Sequence, residues 1–140
     1  MTITLCASLS HYTQCKRIKK ELEKKGHIVL WPWAMEEINA NRLQEDDLPA
    51  FKAKNQSKAI QVHYEKVKKS DTILVVNEEK NGIQNYIGGN TLMEIGFAYV
   101  LGKKIYLLNP IPDISYREEI LAMKPVVLKG KLGRVGNNFY

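Results

Sequence analysis

The segment that decides the fold spans residues 72–76 and reads Thr-Ile-Leu-Val-Val. An unbroken run of apolar and β-branched residues, without polar alternation, is typical of a strand that is buried on both faces of a parallel sheet. The polar pair Ser70-Asp71 precedes the run and Asn77 ends it. Because parallel strands need long crossover connections, helices are expected on either side of this segment.

Four other short apolar runs predict the remaining strands of the same sheet. Segments with a helical period separate them, and Gly26 and Gly102 stand where a helix C-terminus favours glycine. The predicted strands are residues 3–7, 27–31, 104–108 and 125–128, and the predicted helices are residues 12–25, 55–69, 91–101 and a short one through Ile120, Leu121 and Met123 that Ser115 and Glu118 would cap.

Residues 34–54 are less regular, because Asp46, Asp47 and Pro49 interrupt short helical patches. We predict a long, partly helical excursion there. The alternation elsewhere predicts a doubly wound, flavodoxin-like (Rossmann-like) α/β fold, with a parallel five-stranded sheet in the order 2-1-3-4-5 and helices on both faces. In such a fold the ligand binds beyond the carboxyl ends of the strands, here in the loops 8–11, 31–35, 77–91 and 109–114.

The composition is that of one globular domain. Of the 140 residues, 44% are hydrophobic and 26% charged, so residues 1–140 are predicted to form a single domain with a basic tail at 129–140. No apolar run approaches the ~20 residues of a membrane span, and the first ten residues do not resemble a signal peptide. Cys6 and Cys15 are too few for a disulfide framework. These features predict a cytoplasmic protein with no membrane partner.

The formal net charge of +6 leaves an anionic ligand open. Much of this charge lies between Lys16 and Lys25, where six Lys or Arg accompany two glutamates on one predicted helix. We interpret this segment as a solvated helix face, because no interleaved aromatic residues and no recognition motif accompany it. The sequence therefore predicts no nucleic-acid partner.

Residues 88–94 read Gly-Gly-Asn-Thr-Leu-Met-Glu, where the loop after the third strand enters the next helix. Backbone N–H groups and a carboxylate would both point toward the predicted crevice. Two interpretations remain open: Thr91 and Glu94 form a capping box, or Glu94 is a functional carboxylate. The stretch has neither a dinucleotide fingerprint nor a Walker loop, and we predict no cofactor.

The same region resembles the nucleoside 2-deoxyribosyltransferase family and its relatives, the deoxynucleoside 5′-monophosphate N-glycosidases. The resemblance runs through residues 71–77, the stretch Gly-Gly-Asn-Thr-Leu-Met-Glu-Ile-Gly-Phe-Ala at 88–98, and Leu-Gly-Lys-Lys-Ile at 101–105. Leu-Cys-Ala-Ser-Leu at 5–9 looks like the first strand of these families. The resemblance implies cleavage or transfer of the N-glycosidic bond of a 2-deoxynucleoside or its 5′-monophosphate, which would be the small-molecule partner.

In these families a glutamate attacks the anomeric carbon, and the resemblance assigns this role to Glu94. The transition state is oxocarbenium-like, which a nearby carboxylate stabilises. The preceding residues would then contact the substrate, with Asn90 and Thr91 positioning the carboxylate or the sugar hydroxyls. Gly88 and Gly89 complete this predicted substrate-binding segment.

The chain departs from the family at the end of the third strand. Where the transferases usually carry an aspartate that handles the base or its proton, this sequence has Asn77. An amide can hydrogen-bond but cannot deliver a proton. We retain Asn77 as a candidate catalytic residue; Glu78 or Glu79 could supply the missing acid or could simply belong to a solvated loop.

Two further loops carry candidate binding residues. Ser8 and Ser10 follow the first strand, where the monophosphate-specific relatives bind phosphate; Ser10 could also cap the following helix, and both roles can hold at once. Trp33 follows the second strand and could stack on a nucleobase or pack in the core. Tyr86, in the loop before the glycines, is a similar candidate.

The remaining candidates are interpreted structurally. His63 is predicted to lie at a helix surface or an interface, and Cys6 is predicted to be an inert core residue. No group of His, Cys and carboxylate residues has metal-ligand spacing, so no metal site is predicted. Phe139 and Tyr140 could cross into a neighbouring subunit, because the resembled families form oligomers; a homodimer or higher homo-oligomer is expected.

An alternative function remains open on the same fold. In it, the chain is a nucleotide-binding module or sensor, and Asn77 marks lost or altered catalysis.

Overall fold

A computed structural model describes residues 1–137 as an open five-stranded sheet. All neighbouring strands are parallel, and their order is 2-1-3-4-5, as predicted. The register pairs Leu5 with Leu74 and Ile73 with Ile105, so the three central strands are level. The strands are β1 (Thr2–Cys6), β2 (Ile28–Leu30), β3 (Thr72–Val75), β4 (Lys104–Leu107) and β5 (Val126–Val127).

Helices cover both faces of this sheet, which confirms the doubly wound flavodoxin-like fold. One core lies between the sheet and the first two helices, and it buries Ile3, Leu5 and Leu74 from the strands. The other core lies under the remaining three helices and buries Ile73 and Val75. The helices are α1 (Tyr12–Lys24), α2 (Trp33–Asn39), α3 (Leu48–Lys69), α4 (Gly89–Val100) and α5 (Arg117–Ala122).

The prediction for residues 34–54 was wrong in its last part. Helix α3 begins at Leu48, seven positions before the predicted start, and runs unbroken for 22 residues. Pro49 does not interrupt it, because a proline in the first helical turn loses no intrahelical hydrogen bond. Residues 40–47 alone connect α2 to α3, and a 3-10 turn at Glu45–Asp47 leads directly into the long helix.

The sequence predicted the C-terminal ends of the helices better than their N-terminal ends. After α1, Gly26 has a φ of +90°, and its N–H bonds the Glu23 carbonyl at 2.9 Å, as expected for a glycine that ends a helix. The predicted side-chain caps at the N-termini are absent: α1 begins after His11, α4 after Gly88 and α5 after Tyr116, each without a capping side-chain bond. Ser10, the Thr91–Glu94 pair and the Ser115–Glu118 pair therefore do not act as caps.

Two predictions concern the ends of the chain and its relation to membranes. Phe139 and Tyr140, proposed to reach a neighbouring subunit, lie outside the described residues. Within residues 1–137, no helix combines the length and the apolar character needed to cross a bilayer.

Candidate functional site

A cavity of about 690 Å³ opens at the carboxyl ends of β1, β2 and β3. The loops after β1 and β2 contribute Ser8, Ser10 and Trp33, and the first half of α3 forms a further wall. The start of α4 completes the lining with five of the predicted site residues, namely Gly88, Gly89, Asn90, Thr91 and Glu94. Eight of the nine predicted site residues thus surround one space at the topological switch of the sheet.

Glu94 lies deep in this cavity. Because α4 begins at Gly89, Glu94 falls in the second helical turn and not in the first, so it does not interact with the free N–H groups of the helix start. Its side chain retains only 13% exposure. Burial raises the pKa of the Glu94 carboxyl from 4.5 to about 8, and a hydrogen bond from the Cys6 thiol offsets part of that rise.

His63 contacts Glu94 directly, which overturns its predicted surface position. Its Nε2 atom lies 3.5 Å from Glu94 Oε2 and 3.4 Å from Cys6 Sγ, and its side chain is 4% exposed. Loss of hydration and the nearby Lys66 charge lower the pKa of His63 to about 3, so the imidazole is neutral at physiological pH. Cys6 is fully buried, and this burial, together with the nearby Glu94 carboxylate, raises the pKa of its thiol well above the ordinary value.

The position of His63 follows from the amphipathic face of α3. Ala59, His63 and Val67 are four residues apart and therefore share one face of the helix, and Val67 is fully buried in the core. Below them, Lys66 donates from Nζ to the Trp31 carbonyl at 2.8 Å and pairs with Glu36 of α2. This bridge fixes α3 against the end of β2 and holds His63 over β1.

The β1 side of the cavity is polar and basic. Ser8 Oγ and Ser10 Oγ are 2.9 Å apart, and Lys80 Nζ donates to Ser8 Oγ at 2.8 Å. Lys80 also lies 5.4 Å from the centre of the Tyr86 ring, which rests against Gly88. A cation, two hydroxyls and the N-terminal N–H groups of α4 therefore converge where β1 and β3 adjoin, an arrangement that suits an anion.

The β2 side of the cavity is aromatic. Trp33 and Phe51 meet edge to face, with ring centres 4.9 Å apart, and Lys58 Nζ lies 5.0 Å from the Trp33 ring. Trp31, by contrast, is 4% exposed and packs on Tyr12 in the core. The two tryptophans of the sequence thus separate into one core residue and one cavity residue.

The wall between these two sides is made by polar residues of α3 and α4. Gln56 Nε2 donates to Asn90 Oδ1 at 3.1 Å, which links the two helices across the cavity wall. Thr91, the next residue of α4, is buried, with 4% exposure. The side-chain oxygen Oδ1 of Asn90 is therefore already engaged in a hydrogen bond, while its Nδ2 group can still donate to a ligand.

Asn77 is the one predicted site residue that does not line the cavity. Its Nδ2 donates to the carbonyls of Asn109 and Pro110 at 2.9 and 3.1 Å, and its Oδ1 accepts the Asn109 N–H at 2.9 Å. Asn109 returns a bond from its own Nδ2 to the Asn77 carbonyl. We call this set of bonds between Asn77, Asn109 and Pro110 the Asn77 clamp, because it joins the ends of β3 and β4.

Neither predicted substitute for the missing acid reaches the cavity. Glu79 Oε1 accepts the Gly82 N–H at its own turn, and Glu78 is absent from the lining. Among the described residues, the carboxylates that line the cavity besides Glu94 are Glu45 and Asp46, both exposed on the 3-10 turn before α3.

Sequence reasoning missed several residues of the site: His63, Lys80, Phe51 and Gln56. The four-residue spacing of Ala59, His63 and Val67 was a usable signal, since it places the histidine on the buried face of α3. Lys80 gave no such signal, because a lysine in a polar loop has no periodicity to orient it.

The fold is that of a flavodoxin-like α/β domain, and its cavity lies at the β1/β3 switch point, where domains of this class bind their ligands. Among solved structures, the chain is similar to a CMP N-glycosidase of Clostridium botulinum, BcmB, with a TM-score of 0.50 and 22% identity over 91% of this chain and 85% of that chain. This likeness shows a shared fold. No protein-family model matches the chain, and no curated protein matches it.

Proposed function

We propose that this protein cleaves or transfers the N-glycosidic bond of a nucleoside 5′-monophosphate or of the parent nucleoside, with a 2-deoxynucleotide as the expected substrate. Glu94 is the nucleophile. The observation that carries the proposal is the position of Glu94, a poorly hydrated carboxyl inside a cavity that offers an anion site on one side and an aromatic surface on the other.

In the first step, a carboxylate oxygen of Glu94 attacks the anomeric carbon. The bond from this carbon to the base nitrogen breaks, and its electron pair leaves with the base, which takes up a proton. In the second step, water or another base attacks the same carbon, gives up a proton, and releases the Glu94 carboxylate. The first acceptor makes the protein a hydrolase and the second makes it a transferase.

Burial of Glu94 favours this chemistry in a specific way. A carboxylate in a medium of low polarity interacts more strongly with the positive charge that develops on the sugar in the transition state than a hydrated one does. The same burial raises its pKa to about 8, so the reactive carboxylate form increases as the pH rises toward that value. At neutral pH, only those enzyme molecules in which Glu94 is ionised are therefore active.

The two sides of the cavity match the two ends of a nucleotide. Lys80, Ser8 and Ser10 would bind the 5′-phosphate together with the N–H groups that begin α4. Trp33 would stack on the base, since every nucleobase presents a π-face. The fold neighbour is described as a CMP N-glycosidase, and this supports a nucleotide as the substrate.

Protonation of the leaving base falls to the exposed rim of the cavity. Asn77 is committed to the clamp, so water is the proton donor, positioned by Asp46 or Glu45, which line the cavity from the exposed 3-10 turn before α3. Their exposure allows water to take part in the proton transfer.

The experiment is a nucleotide panel analysed by chromatography. Nucleosides and 5′-monophosphates of each base, in ribo and deoxyribo forms, are incubated with the protein, with and without an acceptor base. We expect free base from at least one monophosphate, and a rate lower by about 10³-fold or more in Glu94→Gln. Glu65→Gln, an exposed glutamate on α3, is the matched control and should keep full activity. Absence of base release from every substrate would overturn the proposal.

The Asn77 clamp favours a second candidate function, a nucleotide-binding module or sensor without turnover. Where the resembled family carries an acid, this chain has an amide whose two N–H groups and oxygen are all engaged in the fold. In this case nucleotides would raise the Tm of the protein while the panel releases no base. A thermal-shift screen run beside the panel separates the two functions.

A further inference from the structure

The cluster of Cys6, His63 and Glu94 has the composition of a metal site. We call these three residues the Glu94 cluster. Each offers one ligand atom, and the three atoms lie within 4.8 Å of one another. From this geometry we propose that the Glu94 cluster binds a single Zn²⁺ ion at the floor of the cavity, and that this ion inhibits the protein by occupying the Glu94 carboxylate.

Two of the three separations between the ligand atoms agree with tetrahedral coordination. For Zn–S, Zn–N and Zn–O bonds of ordinary length, the edges of a tetrahedron measure about 3.4 to 3.6 Å. The observed separations are 3.4 Å between Cys6 Sγ and His63 Nε2, and 3.5 Å between His63 Nε2 and Glu94 Oε2. Small shifts of these side chains would place all three donors around one ion.

The donor set is also the right one for zinc. A thiolate, a neutral imidazole and a carboxylate are the three ligand types that Zn²⁺ takes in proteins, and three protein ligands leave a fourth position for water. The thiol and carboxyl protons pass to solvent when the ion enters, which matches the need for deprotonated ligands.

His63 and Glu94 line the cavity, so an ion from solvent reaches two of its ligands without opening the core. Cys6 lies directly behind them and is fully buried. His63 Nδ1 is buried and has no hydrogen-bond partner among the described residues. Since metal-binding histidines usually donate their second N–H to a partner that strengthens the site, we expect a reversible and moderate affinity, suited to inhibition and not to a permanent structural ion.

The inhibition by Zn²⁺ rests on the proposed function, whereas the binding of Zn²⁺ itself does not. A carboxylate that coordinates Zn²⁺ has lost the free electron pair with which it would attack the sugar. Zinc binding and catalysis should therefore exclude each other, and a substrate that covers Glu94 should slow the entry of the ion.

The test uses metal-free protein in the absence of any nucleotide. Co²⁺ is added as a spectroscopic substitute, and the expected result is a thiolate-to-cobalt charge-transfer band that saturates at one equivalent and is lost when Zn²⁺ is added. Cys6→Ala should remove this band. Cys15→Ala is the matched control, because Cys15 is the other buried cysteine and lies in the opposite core; it should retain the band.

A second variant guards against failure of Cys6→Ala to fold. His63→Gln should weaken Zn²⁺ binding by at least about 100-fold in competition with a chromophoric chelator, since it removes a direct ligand and the loss of an outer-shell partner alone costs about 10- to 100-fold. Far-ultraviolet circular dichroism checks that each variant is folded. The inference is overturned if the wild type shows no thiolate band, or if Cys6→Ala and His63→Gln both bind the metal as the wild type does. Because no substrate is present, these outcomes are independent of whether the protein cleaves nucleotides.

Discussion

The Asn77 clamp and the Glu94 cluster lie at the same edge of the sheet and differ in how well their polar groups are paired. In the clamp, three bonds of 2.9 to 3.1 Å engage both N–H groups and the oxygen of the Asn77 amide. In the Glu94 cluster, contacts of 3.4 and 3.5 Å join a thiol, an imidazole and a carboxyl, and one imidazole nitrogen has no partner. Completely paired buried groups stabilise a fold, whereas poorly paired ones cost stability and are retained where they serve a ligand.

The first prediction has the largest expected effect and tests how much stability the folded protein loses when the buried Glu94 carboxyl ionises. Burial raises the folded pKa of Glu94 above its ordinary value, so protonated Glu94 contributes stability that is complete below pH 4.5 and is lost as the pH rises toward 8. Glu94→Gln removes this titration. We expect the variant to be more stable than the wild type at pH 9, by on the order of 4 kcal/mol, and similar to it at pH 4.

Urea unfolding at both pH values, with a chelator present, measures this difference. Glu65→Gln should show no such pH dependence, because its side chain is exposed. Equal stability of Glu94→Gln and wild type at pH 9 would contradict a raised pKa of Glu94 in the folded protein.

The second prediction concerns the Asn77 clamp, where a substitution should lower the free energy of unfolding instead of raising it. Asn77→Ala leaves the Asn109 N–H and two carbonyls without partners and should lower the free energy of unfolding by about 3 kcal/mol. Asn77→Asp should also destabilise the protein, because a carboxylate would face the carbonyls of Asn109 and Pro110. Urea unfolding is the measurement.

Asn55→Ala is the comparison variant, since Asn55 makes one half-buried bond to the Phe51 carbonyl and its loss should cost less than about 1 kcal/mol. If Asn77→Asp were stable and more active than the wild type, Asn77 would be part of the site and the distinction between the two regions would fail.

The third prediction is the pH profile of the reaction. With a pKa of about 8, the ionised fraction of Glu94 in the free enzyme rises by about 50-fold between pH 6 and pH 8. We expect kcat/KM for base release to rise by a similar factor on a substrate that does not titrate in this range. A profile that is flat from pH 5 to pH 8 would mean that the reactive carboxyl has an ordinary pKa.

The fourth prediction tests whether the side of the cavity that contains Lys80 binds the 5′-phosphate, independently of Glu94. Lys80→Met removes the cation beside Ser8, and KM for a 5′-monophosphate should rise by about 10- to 100-fold. KM for the matching nucleoside should not change. Lys69→Met, an exposed lysine at the end of α3, is the control; an equal loss for both substrates in Lys80→Met would argue against a phosphate contact.

The smallest expected effect concerns the aromatic side. Trp33→Ala should weaken binding of nucleoside and nucleotide alike by about 10-fold, as expected for the loss of one stacking surface. Isothermal titration with the Glu94→Gln protein as background measures this without turnover. Tyr99→Ala, at a half-exposed aromatic residue of α4, should leave the affinity unchanged.

The sequence was sufficient for the fold because its signals are strong and local. The run at residues 72–76 and the glycines at 26 and 102 mark strands and helix ends, and both of these glycines have a positive φ. Helix starts were predicted less well. Ser10, Thr91 and Ser115 have the right residue type for a cap, but tertiary packing begins each helix elsewhere.

The candidate site was predictable only in part. Glu94 and the residues just before it are contiguous in sequence, and one helix start presents them together. His63 is 31 positions away from Glu94, and it reaches the carboxyl only because α3 crosses the end of β1. No local pattern records such a crossing, so the Glu94 cluster could be found only in three dimensions.

The unbroken helix α3 limits how this site can change in length. Phe51, Gln56 and His63 are set along one α-helix, so a single residue inserted between them would rotate everything beyond it by about 100° and exchange His63 for a neighbour at the core. Residues 40–47 carry no such constraint. Insertions in that connection would reshape the rim of the cavity while the floor around Glu94 keeps its geometry, so this segment is where the length of the chain can vary with the least effect on the Glu94 cluster.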